Sequence, residues 1–179
     1  KMKKEINNFA YIDGANLHKG ISELGWKLDY ARFRVWLTEK YGVSRAYLFI
    51  GLIAKNKELY THLQEAGFTL IFKETICGAD GKIKGNCDAE LVLQAVCDTY
   101  ERKFNQAMIV TGDGDFACLI SFLLKQKKLR LIMAPNSARC SYLIRKIQAP
   151  LMFLNQFKER LAKKEKAPNT DGTVPGSLS

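Results

Sequence analysis

Short apolar runs alternate with longer amphipathic segments along most of the chain. Apolar runs bounded by turn residues predict buried strands, and apolar residues spaced three or four positions apart predict helices. The predicted strands are Asn8–Ile12, Arg45–Ile50, Phe68–Phe72, Ala107–Thr111, Leu129–Met133 and Leu151–Leu154. The predicted helices are Tyr30–Tyr41, Asn56–Ala66, Asp88–Arg102, Phe116–Gln126 and Ala138–Ile147.

The predicted strands are apolar throughout, which is typical of strands that are buried on both faces of a sheet. Because they alternate with helices, the sequence predicts an α/β fold, a three-layer α/β/α sandwich with a mainly parallel central sheet of Rossmann-like type. The stretch from Lys73 to Cys87 contains an Asp80-Gly81 turn and predicts a small hairpin or a flap. We expect one domain over residues 1–160 and a flexible polar tail over residues 161–179.

The net charge of the chain is +10, and +6 of it remains on the body when the basic ends, residues 1–7 and 155–179, are set aside. Hydrophobic residues make up 47% and charged residues 26% of the chain, which is typical of a folded soluble domain. A basic body suits a polyanionic partner. Charge that serves solubility alone is the simpler alternative.

Five cysteines are present, an odd number, and no CxxC motif occurs. The sequence therefore predicts reduced, mostly buried thiols rather than a disulfide framework or a zinc site. No apolar run is long enough to span a bilayer, and the first residues lack the pattern of a signal peptide. We expect a cytoplasmic protein with no membrane partner.

Acidic residues follow two of the predicted strands directly. Asp13 ends the first strand, with Asn16 three residues later, and the fourth strand runs into "VTGDGDF", which contains Thr111, Asp113 and Asp115. In open parallel sheets, ligands bind beyond the carboxyl ends of the strands. If the first and fourth strands are neighbours, Asp13 and Asp113 meet at this edge.

Asp88 is a further candidate, because it begins the helix that precedes the fourth strand and follows a long loop that could reach the same edge. Clustered carboxylates repel one another, and a hard divalent cation with oxygen ligands, Mg²⁺ or Mn²⁺, removes that repulsion. Taken singly, such an aspartate is more simply a helix cap or a turn residue. Asp98 lies about 15 Å from Asp88 along the same helix and is excluded from the site; Glu90 is excluded less firmly.

Three segments, "YIDGANL", "KGNCDAELVLQAV" and "VTGDGDFACLI", together resemble the NYN domain family, a branch of the PIN-like nuclease superfamily. The resemblance implies a PIN-like fold and metal-dependent cleavage of RNA, which predicts a metal-dependent ribonuclease and, more finely, an endoribonuclease. It also implies roles for particular residues. The catalytic residues would be Asp13, Asp88, Asp113, Asp115, Asn16 and Thr111, and the first four of these would bind Mg²⁺ or Mn²⁺. Asp88 stands where the broader PIN-like group often has a glutamate.

Two other classes of function remain open at this stage. One is a non-catalytic module that binds RNA or a nucleotide through the same acidic site. The other is a metal-dependent phosphatase or a toprim-like enzyme. The dehalogenase-type phosphatase motif needs a second aspartate where Ala15 stands, and toprim sites usually have a glutamate where Asp13 stands.

A basic stripe on the predicted helix Ala138–Ile147 is the main candidate for contact with RNA. Cys140, Ile144 and Ile147 share an apolar face of this helix, and the other face is basic with one aromatic ring, which suits phosphates and a stacked base. We expect single-stranded RNA to be the partner, and the sequence leaves open whether the chain forms a homodimer. The predicted RNA-binding residues are Lys84, Arg139, Tyr142, Arg145 and Lys146.

Overall fold

The computed structural model describes residues 6–73, 76–77, 83–84 and 87–164. The strands in these ranges are β1 (Asn8–Asp13), β2 (Val43–Gly51), β3 (Phe68–Lys73), β4 (Ile76–Cys77), β5 (Ile83–Lys84), β6 (Ala107–Val110), β7 (Leu129–Ala134) and β8 (Leu151–Phe153). The helices are α1 (Gly14–Ser22), α2 (Tyr30–Tyr41), α3 (Lys57–Glu65), α4 (Asp88–Tyr100), α5 (Ala117–Lys125), α6 (Tyr142–Arg145) and α7 (Lys158–Leu161).

The central sheet has the order β3-β2-β1-β6-β7-β8 within the described ranges, and its neighbouring strands are parallel. β1 lies between β2 and β6, with Ile12 paired to Val110 and Asp13 paired to Phe49. The first and fourth predicted strands are therefore neighbours, as the proposed meeting of acids required. β4 and β5 form a separate antiparallel pair, which confirms the small hairpin. Its Asp80-Gly81 turn lies outside the described residues.

Successive residues of β1 point to opposite faces of the sheet and contribute to two apolar cores. Ala10 and Ile12 pack in the core that α1, α2, α3 and α7 cover. Phe9 and Tyr11 pack in the core that α4, α5 and α6 cover. Helices on both faces of a parallel sheet make three layers, so the predicted α/β/α architecture is confirmed.

The boundaries of α2 show why local sequence signals work well there. The side chain of Asp29 accepts a hydrogen bond from the backbone N–H of Arg32 at the first turn. Gly42 ends the helix in the left-handed conformation, with φ of 64°. An aspartate before a helix and a glycine after it are strong local signals, and the predicted helix Tyr30–Tyr41 has the bounds that the structure shows.

The sequence prediction treated the residues after Asp13 as a loop and therefore missed α1. Gly14 and Gly20 lower helix propensity, but both lie on the buried side together with Leu17 and Ile21. A Cβ on Gly14 would lie 2.4 Å from Ile50 Cγ2 and 2.8 Å from the carbonyl oxygen of Phe49. The glycines therefore allow α1 to pack closely against its neighbours, and the packing outweighs the cost in propensity.

The prediction of one helix over Ala138–Ile147 is wrong. Ser137–Arg139 forms a 3₁₀ turn, Cys140 is extended, and α6 begins at Tyr142. The break allows the N–H of Ser141 to donate to the carbonyl of Gly112 at 2.9 Å. The Ser141 side chain also accepts from the N–H of Leu143 and caps α6. These contacts connect the segment after β7 to the loop after β6.

The packed domain continues slightly beyond residue 160. Leu161 is fully buried, and Leu28 forms an isolated antiparallel bridge with Ala162. The part of the proposed tail after residue 164 lies outside the described residues. None of the helices in the described ranges combines the length and the apolar character that crossing a bilayer demands.

The described cysteine side chains are free thiols, as expected, but most of them are not buried. Cys140 is buried and Cys87 is partly buried, whereas Cys97 and Cys118 are exposed. Both exposed thiols lie on amphipathic helices, where the sequence pattern around them gave too little information about which side faces the solvent.

Asp98, which the sequence excluded from the site, is a fully buried structural carboxylate. It accepts hydrogen bonds from the Tyr11 hydroxyl at 2.9 Å, from Gln94 Nε2 at 3.0 Å and from Lys103 Nζ at 3.1 Å. Burial, followed by the Asp98 charge, raises the pKa of Tyr11, so the phenol stays protonated and donates. Asp98 thus ties α4 to β1 from inside the core.

We expect Tyr11→Phe to lower the free energy of unfolding by about 1–3 kcal/mol, because it leaves a buried carboxylate without one of its donors. Tyr47→Phe on the adjacent strand is the matched control, since the Tyr47 hydroxyl accepts from Arg45 Nη1 at 3.3 Å and makes no other hydrogen bond within the described part of the chain. Urea unfolding of both variants measures the difference. Equal losses in the two variants would show that the Asp98 contact has no special weight.

Candidate active site

Asp13 is held at the carboxyl end of β1 by contacts from two other segments. One of its carboxylate oxygens accepts from the backbone N–H of Asn16 at 3.0 Å, which caps α1. The other accepts from the Thr111 hydroxyl at 3.0 Å. Asp13 is thereby fixed between the first turn of α1 and the end of β6.

The loop after β6 is fixed to α1 by the same small group of residues. Asn16 Oδ1 accepts from the N–H of Gly112 at 2.8 Å, and the Thr111 hydroxyl accepts from the N–H of Asp113 at 3.1 Å. The Asp113 carboxylate in turn accepts from the N–H of Asp115 at 3.0 Å and caps the turn that leads into α5. Asn16 and Thr111 therefore position the acidic loop rather than standing free in it.

Asp88, at the start of α4, completes an acidic group with the two aspartates of this loop. One carboxylate oxygen from each of Asp88, Asp113 and Asp115 lies within 4.8 Å of the others. Asp13 lines the same cleft of about 260 Å³ as Asp88 and Asp113. Among the described residues, Asp88, Asp113 and Asp115, hereafter called the triad, are thus close enough to share one cation, and Asp13 lies beside them in the cleft.

Burial and the closeness of the carboxylates affect the pKa values of the aspartates in the cleft. Burial raises the pKa of Asp13, and the hydrogen bonds from Asn16 and Thr111 oppose that rise. Burial also raises the pKa of Asp88, and three neighbouring carboxylates raise it further. Those carboxylates belong to Asp13, Asp113 and Asp115. The four acids therefore share one electrostatic environment, in which each ionisation makes the next one harder.

The side chains of this cleft fit a hard divalent cation. Carboxylates are the ligands that Mg²⁺ and Mn²⁺ prefer. The Asp13 carboxylate keeps further acceptor capacity in addition to its two hydrogen bonds, because a carboxylate has about four acceptor sites. Cys87 also lines the cleft, but burial raises the pKa of its thiol and keeps it protonated, which makes it a poor ligand for a softer metal.

Two lysines near the acids were missed by the sequence reasoning. Lys73 ends β3 and forms an ion pair with Glu90, with Nζ 3.3 Å from Oε1, so Glu90 is engaged outside the triad. Lys19 lines the acidic cleft from α1. Attention to basic as well as acidic residues at strand ends would have identified Lys73. Lys19 becomes visible only if residues 14–22 are read as a helix, one turn beyond Asn16.

The predicted RNA-binding residues do not form one continuous basic surface among the described residues. Tyr142 is 75% exposed, and Lys146 beside it is exposed. Arg145 stacks over the Phe153 ring at 5.0 Å and donates to the carbonyl groups of Ser137 and Cys140. Arg139, by contrast, pairs at 2.9 Å with Glu23, the residue directly after α1, and the side chain of Lys84 lies outside the described residues.

Comparison with known proteins supports the fold and the family. A sequence model of the NYN domain matches residues 9–147. The crystal structure of a protein of unknown function, VPA0982 from Vibrio parahaemolyticus RIMD 2210633, is similar with a TM-score of 0.75 and 19% sequence identity, covering 90% of this chain and 99% of that one. No curated protein matches the chain. The matched region contains both strand ends and the α4 start that carry the acidic cleft, and the chain belongs to the NYN domain family of the PIN-like nuclease superfamily.

Proposed function

We propose that this protein is a metal-dependent ribonuclease that hydrolyses phosphodiester bonds of single-stranded RNA at the acidic cleft. The observation that carries the proposal is the grouping of Asp88, Asp113 and Asp115, whose carboxylate oxygens approach within 4.8 Å. Membership of the NYN family supports a nuclease role, because NYN domains are generally nucleases and typically depend on a divalent metal. The basic body of the chain supports a polyanionic substrate.

Asp88, Asp113 and Asp115 would hold one Mg²⁺ or Mn²⁺ ion, and Asp13 would either complete this set or hold a second ion. When bound, the cation would lower the pKa of a water molecule bound to it and stabilise negative charge on the phosphate. Thr111 and Asn16 keep Asp13 and the Asp113 loop at a fixed separation through the hydrogen bonds described above. Preorganised ligands of this kind avoid the cost of rearrangement during the reaction.

The test is cleavage of a fluorescent single-stranded RNA in Mn²⁺ by the native protein and by the double variant Asp13→Asn, Asp113→Asn. Asparagine keeps one acceptor oxygen for each of the two caps, of α1 and of the turn before α5, and it removes the charges that attract the cation. At position 13 its amide NH₂ group replaces the oxygen that accepts from the Thr111 hydroxyl. We expect cleavage to fall by at least about 10²-fold, in the range that removal of one essential electrostatic group costs.

Asp29→Asn is the matched control, because Asp29 also caps a helix but does not line the acidic cleft. Cleavage by the double variant at the native rate would refute the proposal. Mn²⁺ binding without cleavage by the native protein would favour the non-catalytic RNA-binding module. Equal cleavage of DNA of the same sequence would contradict the assignment of RNA as the substrate.

A further inference from the structure

A second, smaller cleft adjoins the acidic one on the side of α1. The two clefts share Asn16 and Lys19 as lining residues. The far wall of the second cleft is formed by the segment after β7, where Asn136 and Arg139 lie. The second cleft, hereafter called the basic cleft, thus continues from the acidic cleft past Lys19.

The wall of the basic cleft is held in place by the hydrogen bonds of a buried side chain and by close packing. Asn136 is buried, its amide group donates to the carbonyl of Gly20 at 3.4 Å, and its Oδ1 accepts from the N–H of Ala138 at 3.0 Å. A Cβ on Gly20 would lie 2.7 Å from Pro135 Cβ, so α1 approaches this segment as closely as a glycine allows. These contacts fix the distance between the helix that carries Lys19 and the turn that carries Arg139.

The two cations of the basic cleft, Lys19 and Arg139, differ in whether they form an ion pair. Arg139 Nε lies 2.9 Å from Glu23 Oε2, but the Arg139 side chain is 72% exposed, and an exposed ion pair is weak and easily exchanged. Lys19 is exposed and forms no ion pair with the residues that the structure describes. A guanidinium presents a planar pair of donors that matches two phosphate oxygens.

The size of the basic cleft indicates a small ligand group. Its volume of about 160 Å³ is below the roughly 300–1,000 Å³ of sites that enclose a whole drug-sized molecule. Among the described residues, its lining offers two cations, two amides and the Glu23 carboxylate that pairs with Arg139, and it has no aromatic ring that could stack on a base. One anionic group of a longer molecule, such as a phosphate of a nucleic acid backbone, fits these features.

We propose that the basic cleft binds a backbone phosphate of the RNA next to the one that is cleaved, with Lys19 and Arg139 as the binding residues and Glu23 as an internal competitor. Glu23 occupies the Arg139 guanidinium in the free protein, and the incoming phosphate takes its place. Lys19, on the wall between the clefts, offsets the repulsion that the acids exert on the same strand. This inference rests on the proposed ribonuclease function, whose substrate path it specifies.

The experiment measures binding of a fluorescein-labelled single-stranded RNA by anisotropy, in EDTA so that the strand stays intact, over a series of salt concentrations. Lys19→Gln should weaken binding severalfold and lower the slope of log affinity against log salt by about 0.7, the value for one phosphate contact with a single strand. The control is Lys125→Gln, at the end of α5 that lies away from both clefts.

Glu23→Gln should act in the opposite direction and strengthen RNA binding severalfold, because it releases Arg139. The gain should disappear in the double variant Glu23→Gln, Arg139→Gln. Glu65→Gln, an exposed acid at the end of α3, makes the same change in net charge and should give a smaller effect. A purely structural role for the Arg139–Glu23 pair would not produce this gain.

Two results would overturn the inference. One is a loss for Lys19→Gln no larger than the loss for Lys125→Gln, and the other is a gain for Glu23→Gln that persists without Arg139. Mn²⁺-dependent cleavage, measured on the same preparations, separates this inference from the proposed function. Cleavage with unchanged binding in the variants would refute the basic cleft alone, and altered binding without any cleavage would refute the ribonuclease proposal alone.

Discussion

Mn²⁺ should raise the free energy of unfolding of the native protein and should leave that of an Asp113→Asn variant nearly unchanged. An ion that binds only the folded state stabilises it by about 2.7 kcal/mol when its free concentration is 100 times the dissociation constant. Asp113 is the suitable position because it belongs to the triad and also joins the Thr111 hydroxyl to the N–H of Asp115. Asparagine retains the acceptor oxygen, so the substitution tests the charge alone.

Without metal, the same variant should be slightly more stable than the native protein. Close carboxylates repel by about 1 kcal/mol even in water. Burial is the main cause of the raised pKa values of Asp13 and Asp88, and repulsion between the carboxylates adds to it. A carboxyl group whose folded-state pKa is raised stabilises the fold at low pH, and this contribution is lost as the pH rises through the folded-state pKa. At neutral pH the native protein therefore bears the repulsion that the variant relieves.

Thermal unfolding of both proteins tests the two expectations together. The native protein should be the more stable one with Mn²⁺, and the variant should be the more stable one without it. Asp29→Asn should respond to Mn²⁺ as the native protein does, because Asp29 caps α2 and is not part of the triad. If Mn²⁺ stabilises Asp113→Asn as much as it stabilises the native protein, the triad is not where the cation binds.

The meeting of the acids could be predicted because it depends on sheet topology rather than on fine packing. Asp13 and Asp113 each follow a run of buried residues, and parallel neighbours place both at one edge. Their sequence separation does not matter once β1 and β6 are adjacent. The position of Asp88 could be anticipated only in outline, because the loop before α4 sets how far that residue reaches over the edge.

The features that the sequence did not predict depend on contacts between distant segments. The helix that includes Lys19 looked like a loop because its two glycines serve contacts with β2 and with Pro135, which local propensity cannot reveal. The break at Cys140 depends on the hydrogen bond from Ser141 to Gly112. As a result, the spacing of residues 138–147 predicted a continuous helix that the structure does not contain. That prediction placed Arg139 on one basic face with Tyr142, whereas Arg139 pairs with Glu23.

The close packing of α1 against β2 leads to the second large prediction, for Gly14→Ala. The added methyl group would lie 2.4 Å from Ile50 Cγ2 and 2.8 Å from the backbone oxygen of Phe49, and overpacking of this kind typically costs about 1–3 kcal/mol. Alanine favours helices over glycine by about 1 kcal/mol. A loss of stability therefore cannot come from helix propensity, which acts in the opposite direction.

The same substitution should also weaken Mn²⁺ binding, because residue 14 lies between Asp13, which caps α1, and Asn16, which holds the loop of Asp113. Gly112→Ala is the matched control for stability, since a Cβ there would meet no heavy atom closer than 3.5 Å. Urea unfolding and Mn²⁺ titration of both variants provide the comparison. Native stability and native Mn²⁺ affinity in Gly14→Ala would mean that α1 can move away from β2 without disturbing the acids, and the rigid link between core packing and the cleft would then be refuted.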